Sequence, residues 1–450
     1  MTAQTMPHRL VNHLPFTPNK EQETALDQLQ EFLEPACREQ FFILKGAAGT
    51  GKTSLIKAVT DWLVEQKQDF CLSAPTGRAA QIIGKKTGQP AGTTHSLVYI
   101  PEPDEDGIVV RLVPRPNLDR RPCIYIVDEA SLVSDTPGNS AEFISSKPLL
   151  SRMIEYAKEG NTNNKFLFIG DEYQLPPVGA GFSPALSEAY LEKKFGMKGR
   201  GFALNQVMRQ QDGSYILQNA RALRQSIREN LPPCKLQFQH SGSYGGALRS
   251  YVRNYKQHND GRVLMIGRSN RQVLAMNQSV RNVLFHWNVQ QHILPGEMLV
   301  ANQNTILADQ VLFRGNCLWV EKTGPMETFA GVHFLNTTTS FQSLAGEWVR
   351  ARTKIVLDSL VNENGSLSID QRKAIVHEAL KRNRKYRESR RPEDDAFVGA
   401  LHARYGYALT CHKAQGGEWQ HVYLNPMYGQ AESRWLYTAV TRAAEHLYSW

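Results

Sequence analysis

FFILKGAAGTGKT, residues 41–53, is the stretch whose reading decides the fold. Phe41 to Leu44 are four consecutive apolar residues, the mark of a short strand buried on both faces. Gly46 to Thr53 follow with the spacing G-x-x-x-x-G-K-T, and SLIKAVTDWLV behind them repeats its apolar residues at helical spacing. Strand, glycine-rich loop and helix in that order make a cradle for a polyphosphate. Gly46, Gly49 and Gly51 let backbone N–H groups turn inward, and the helix presents its positive end to the anion. Ala47, Ala48, Thr50 and Ser54 complete the cradle, Lys52 is placed for the β- and γ-phosphates, and the Thr53 hydroxyl for Mg²⁺. An eight-residue pattern can arise by chance, but not together with the right strand before it and helix after it. The stretch predicts a bound nucleoside triphosphate and leaves open what its energy drives.

The whole chain sets wide bounds. Its 450 residues suffice for about two to four domains with separate cores. A hydrophobic content of 41% with 21% charged residues is that of an ordinary globular protein. A formal charge of +9 favours a polyanionic partner without specifying one. The six cysteines are dispersed with no C-x-x-C pair, which argues against a zinc site or a disulfide framework and for a reducing, cytoplasmic setting. No apolar run reaches the roughly 20 residues of a membrane span, and no signal-peptide core opens the chain.

Outward from the loop, strands alternate with helices. Upstream, TPNKEQETALDQLQEFL predicts a helix with Thr17 as N-cap and Pro18 at its first position. Downstream, DFCLSAPTGRAAQII predicts strand, loop and helix, and CIYIVDEAS and NKFLFIGDEYQLPPVGAG are strands ending in polar loops. Polar residues gathered at strand C-termini are the pattern of a doubly wound parallel sheet. Residues 98–121 interrupt it as a protruding β-hairpin around the acidic turn Asp104 to Gly107. A second α/β region covers 204–305 and 400–450, with strand, loop and helix at 263–280 and a terminal helix before Trp450. Between its parts, 306–399 forms a β-rich insert with a very basic helical extension at about 366–392.

Several polar residues sit where such a fold does chemistry. Asp128 and Glu129 end a buried strand, where one carboxylate can hold Mg²⁺ opposite Thr53 and the other can orient or deprotonate a water. Gln174 in GDEYQLPPVGAG can bond a γ-phosphate or its water. Arg209 and Arg442, in the second region, can stabilise charge on a transferring phosphoryl group. Each has a plainer reading: an acid pair opening a turn, a surface glutamine, salt-bridged arginines. Pro75, Thr76, Arg78, Thr94 and His95 in the first region, with Ser269, Asn270, His412 and Lys413 in the second, suit sugar–phosphate contacts. For the two histidines a bond to nearby backbone explains them equally, and the basic run from Arg372 to Arg391 reads as a solvated helix face.

Taken together, the segments resemble superfamily 1 helicases of the 5′-to-3′ branch that contains RecD, Dda and the Pif-type enzymes. KEQETAL is similar to the family's adenine-contacting glutamine motif, GAAGTGKT to motif I, APTGRAAQ and TTHS to motifs Ia and Ib. DEAS resembles motif II, GDEYQLPPVGAG motif III, VMRQ and GRSN the motif IV region, ALTCHKAQGGEW motif V and YTAVTRA motif VI. The resemblance spans most of the chain in the family's order. It implies an α/β fold of two RecA-like P-loop NTPase lobes, the first at 1–97 and 122–203 with the 98–121 hairpin as a strand-separating pin. The second, at 204–305 and 400–450, would carry an SH3-like insert at 306–399. It implies ATP and Mg²⁺ as cofactors, Gln22 at the adenine, Gln174 as coupler, Arg209 and Arg442 as arginine fingers, and Gly416 and Glu418 near the nucleotide. It implies single-stranded DNA and duplex junctions as partners, with no membrane role. The motor would be monomeric, in a bacterial or phage-infected cell, working in DNA repair, recombination or replication beside other proteins of those processes. An RNA-directed relative and a non-unwinding ATPase switch are the alternatives. The insert's basic helices are longer than an SH3-like module needs, and no accessory domain is expected after Arg442.

Overall fold

A computed structural model describes residues 9–103, 110–137, 143–145, 147–208, 214–258, 261–286, 293–343, 346–427 and 432–450. The chain divides into two compact units, with the main division between Ser214 and Tyr215. That lies beyond the expected boundary at 203/204, because Gly199–Leu204 is the last strand of the first sheet, paired along the whole of Phe41–Gly46.

The first unit is built on a six-stranded parallel sheet in the order Ala91–Thr93, Phe70–Ala74, Ile124–Val127, Lys165–Gly170, Phe41–Gly46, Gly199–Leu204. Side chains alternate across it, as the pleat requires. Phe42 and Leu44 join Leu26 and Leu29 of helix Lys20–Leu33 and Leu55, Val59 and Leu63 of helix Lys52–Glu65 in one core. Phe41 and Ile43 join Leu150, Met153 and Ala157 of helix Leu149–Gly160 in another. Lys45 is level with Gly170, and Val127 with Phe168. Three strands therefore end within three residues of one another at one edge, where their polar loops begin.

Helix Lys20–Leu33 starts later than Thr17 and Pro18 suggested. Asn19 is its N-cap, and a reciprocal capping box with Gln22 satisfies two orphan N–H groups at once, which a lone threonine does not. Strands Tyr99–Pro103 and Val110–Pro114 form a hairpin, and the acidic turn expected between them falls outside the described residues. A third strand, Phe143–Ser145, joins Val110–Pro114 and was not foreseen.

The second unit holds a five-stranded parallel sheet in the order His240–Ser241, Ala443–Ser449, Trp419–Leu424, Val263–Gly267, Ala408–Thr410. A second five-stranded sheet has the order Trp348–Val356, Val332–Gln342, Cys317–Phe329, Met298–Ala301, Ala403–Tyr405, with its neighbours antiparallel. It reaches outside the expected 306–399 at both ends, since Met298–Ala301 pairs with a strand on either side. The long hairpin closes through Ala330 and Gly331, both at positive φ, the conformation of a tight two-residue turn. Where that unit's chain passes from helix Asn270–Phe285 into the antiparallel sheet, Arg281 and Glu297 form a buried ion pair. The Arg281 guanidinium also lies 3.9 Å from the centre of the Tyr405 ring. No helix among the described residues is long and apolar enough to cross a membrane.

Candidate nucleotide site and nucleic-acid contacts

The phosphate loop takes the shape its glycines allow. Gly49 and Gly51 have φ of 81° and 91°, in the left-handed region that disfavours side chains. A Cβ on Gly51 would lie 2.5 Å from Gln22 Nε2, and one on Gly46 2.6 Å from Thr50 Oγ1. Gln22 is thus packed against the loop from outside. Its Nε2 donates to the Thr50 carbonyl at 3.1 Å, and its Oε1 accepts from Asn19 N at 3.1 Å. Both ends of the amide brace the loop to the preceding helix. The Thr50 hydroxyl donates to the Ala47 carbonyl at 3.0 Å. Lys52, first residue of its helix, donates through Nζ to the carbonyls of Gly46 at 2.6 Å and Ala47 at 2.9 Å. Thr53 and Ser54 follow in the helix's first turn.

Beside this loop at the same sheet edge lie the other two strand ends. Asp128 and Glu129 follow Ile124–Val127. Burial pushes the Asp128 carboxyl up to about 7 and the neighbouring charge of Glu129 adds to the rise, while Lys52 and Lys86 pull it down. Part of Asp128 still meets solvent, so the shift comes from surrounding bulk rather than from a sealed core. Glu129 holds a left-handed backbone, φ 50° and ψ 37°. For a residue with a side chain this strain costs about 1 kcal/mol or more. Its Oε2 is buried with no hydrogen-bond partner among the described residues. Between the loop and the acid pair, Asp171 follows Lys165–Gly170 and accepts from Tyr173 N at 3.0 Å, shaping the turn that carries the buried Gln174. Gln174 Nε2 points at Asp171 Oδ2, 3.4 Å away. Asp171 is a functional neighbour beyond those expected, and its signal is local: an aspartate just after a strand that bonds the N–H two residues on makes a turn.

In the second unit Arg442 is buried. Its Nε donates to the Thr438 carbonyl at 3.0 Å, Nη1 to the Gly417 carbonyl at 3.0 Å and Nη2 to Thr441 Oγ1 at 3.2 Å. Gly417 lies between Gly416, at φ 73°, and Glu418, so Arg442 fixes the turn that carries both. Arg209 lies outside the described residues.

The residues expected to touch a nucleic-acid strand divide. Thr76 caps helix Gly77–Thr87, its hydroxyl accepting from Ala79 N at 3.2 Å, with Pro75 and Arg78 half-buried on either side. Ser269 caps Asn270–Phe285 in the same way, accepting from Gln272 N at 3.1 Å, and Asn270 Oδ1 accepts from Arg404 Nη1 at 3.2 Å. Each caps the helix that follows a sheet strand of its own unit, and each hydroxyl keeps a proton to donate. Thr94 has no exposed surface, which puts its hydroxyl out of reach of a strand lying on the unit. The cap there is Thr93, accepting from Ser96 N at 3.1 Å. Burial lowers the pKa of His95, which stacks on Tyr99, and of His412, beside Lys413 in the short helix Cys411–Ala414. Both imidazoles are therefore neutral at pH 7.

A glycine loop on a parallel sheet, with acid residues two strands away, defines a P-loop NTPase. Residues 17–235 match the AAA domain, and 405–448 match the UvrD-like helicase C-terminal domain. The ATP-dependent RecD2 DNA helicase of Deinococcus radiodurans is 26% identical over 437 residues, covering 96% of this chain and 48% of that protein. The ATP-dependent DNA helicase dda of phage T4 is 31% identical over 156 residues, 34% of this chain and 32% of that one. The chain thus spans about half, or less, of the length of these relatives. In fold it resembles Pif1 helicase from Candida albicans, with TM-score 0.51, 16% identity and coverage of 96% and 95% of the two chains. It likewise resembles Bacteroides Pif1 bound to single-stranded DNA, with TM-score 0.51, 14% identity and coverage of 96% and 92%. In sequence the chain thus matches an AAA domain and a UvrD-like helicase C-terminal domain, and in fold it resembles the Pif1 structures.

Proposed function

We propose that the chain is an ATP-dependent DNA helicase that moves along single-stranded DNA from 5′ to 3′ as a monomer and opens duplexes at junctions. The observation that carries this reading is the convergence of Lys52, Asp128, Glu129 and Gln174 on adjoining strand ends of one parallel sheet. Phosphates displace the loop carbonyls from Lys52 and draw on the inward N–H groups of the loop, with Gln22 bracing it beside the adenine. Asp128 and Thr53 would hold Mg²⁺, which supplies charge neutralisation between the phosphates. The fit is chemical: a cation offsets the burial that raises the Asp128 carboxyl. Glu129, with an oxygen left unpartnered, orients and deprotonates the attacking water. Gln174 senses the γ-phosphate, Arg209 and Arg442 stabilise the transferring group, and Gly416 and Glu418 border the nucleotide. Pro75, Thr76, Arg78, His95, Ser269, Asn270, His412 and Lys413 contact the strand's backbone, and the buried Thr94 does not.

The test compares unwinding of 5′-tailed and 3′-tailed DNA duplexes by the full chain and by Lys52→Ala. The wild type should open the 5′-tailed substrate with ATP, and the variant should remain folded without turning ATP over. Preference for a 3′ tail would overturn the polarity, stimulation by RNA alone the substrate, and normal hydrolysis by Lys52→Ala the whole assignment.

A further inference from the structure

The basic segment set aside as a solvated helix face is a constructed surface. It comprises helices Ile369–Arg382 and Arg384–Ser389. Ile375, Val376, Ala379 and Tyr386 are buried with Phe329, Val332 and Phe334 at the closed end of the long hairpin. The two helices are locked to each other: Arg387 donates through Nε to the Leu380 carbonyl at 2.7 Å and through Nη2 to the Lys381 carbonyl at 2.8 Å, filling the open end of the first helix. Asn383 caps the second, accepting from Tyr386 N at 3.1 Å.

With the apolar side fixed inward, the cations are left outside. Residues 372–391 carry nine Lys and Arg against two Glu, a surplus of seven where the whole chain's net charge is nine. Lys373, Lys381, Arg382, Arg384, Lys385, Arg387, Arg390 and Arg391 are all exposed. Local acids offset part of this: Glu378 pairs with Arg382, Glu388 with Arg384, and Asp394 with Lys385. An open cleft at the junction of the helices is lined by Arg382, Arg384 and Lys385 with Phe397, and by the acids Glu327 and Asp395.

We propose that this face holds the phosphate backbone of double-stranded DNA, a second nucleic-acid contact within the unit that carries Arg442. Of the two helices only Ile369, at the very start, exposes a large apolar side chain; Tyr386, the one aromatic ring apart from His377, is buried, and Phe329 and Phe397 beside them are stacked on each other. A single strand binds through stacking platforms and a protein partner through an apolar centre; this face offers neither. It offers a rigid array of charge along a helix of about 21 Å, suited to a stiff rod with one phosphate charge per ~1.7 Å of its axis. The proposal rests on the reading above only in taking DNA as the substrate.

The test uses the full chain with Lys381, Arg384, Arg390 and Arg391 all changed to Gln, and measures binding to a blunt duplex and to single-stranded DNA across a salt series. Duplex affinity should fall at least tenfold, and the slope of log K against log salt should flatten by roughly 3 to 4. Single-strand affinity and single-strand-stimulated ATP turnover should stay within twofold, with an unchanged melting temperature as the control for folding. An unchanged duplex slope would overturn the proposal. So would an equal loss for single strand and duplex, or retention of duplex binding with loss of binding to an acidic polypeptide. Failure of the wild type to hydrolyse ATP would instead strike the helicase reading and leave the duplex slopes interpretable.

Discussion

Asp128→Asn should kill turnover and, in the nucleotide-free protein, raise stability. The Asp128 carboxyl is lifted from the ordinary aspartate value of 3.8 to about 7, by burial first and Glu129 second. Ionising it in the fold therefore costs by linkage roughly 4 kcal/mol at high pH. Part of the side chain meets water and Glu129 shares the field, so we discount this to about 2 kcal/mol. The sign follows from the raised value. The penalty is absent below the unfolded pKa, grows as pH climbs towards 7, and is complete above it. Asparagine keeps the shape and carries no charge, so it escapes the penalty. For a unit of this size the gain corresponds to a melting transition about 4–8 °C higher at pH 8, with a much smaller gap at pH 5. Calorimetry of both proteins without nucleotide or divalent cation at the two pH values reads it directly. An Asp128→Asn protein that melts at or below the wild-type temperature at pH 8, or with a gap that pH does not move, would refute the reasoning.

Two further outcomes are open to measurement. Arg442→Ala should retain nucleotide binding while losing most turnover. Three bonds from a buried guanidinium go with it, so the variant should also unfold about 1–3 kcal/mol more easily, read by urea titration beside ATPase rates. Glu297→Ala should cost about 3–5 kcal/mol, because it strands Arg281 as a buried charge, whereas replacing both partners by apolar residues of similar volume should recover most of that loss. Urea unfolding of the single and double variants separates the two.

What was legible in the sequence was what chemistry confines to a few positions. The phosphate loop needs glycines where φ is positive, and the strand ends that carry Asp128 and Gln174 show as apolar runs stopped by acids. Pairing at long range was harder. Phe143–Ser145 is three residues long, too short to show an alternation, and joins a sheet only because Val110–Pro114 offers it an edge. Met298–Ala301 and Ala403–Tyr405 lie about a hundred residues apart yet are neighbours in one sheet. Local spacing carries no mark of that. Arg281 and Glu297 each look like surface residues until the fold buries them together. At Thr93 and Thr94 two adjacent threonines offered the same side chain, and only backbone geometry decides which one caps.

Lys52 leads to a consequence for how the loop chooses among anions. Its ammonium already has two carbonyl partners, so an arriving ligand exchanges partners rather than filling a bare positive hole. A polyphosphate engages the loop amides and the ammonium together, so each phosphate it adds helps to offset the carbonyl bonds that Lys52 gives up. The lysine's resting bonds thus act as a threshold. An anion that reaches the lysine alone has to replace both bonds by itself, while one that spans the loop shares that cost among several contacts.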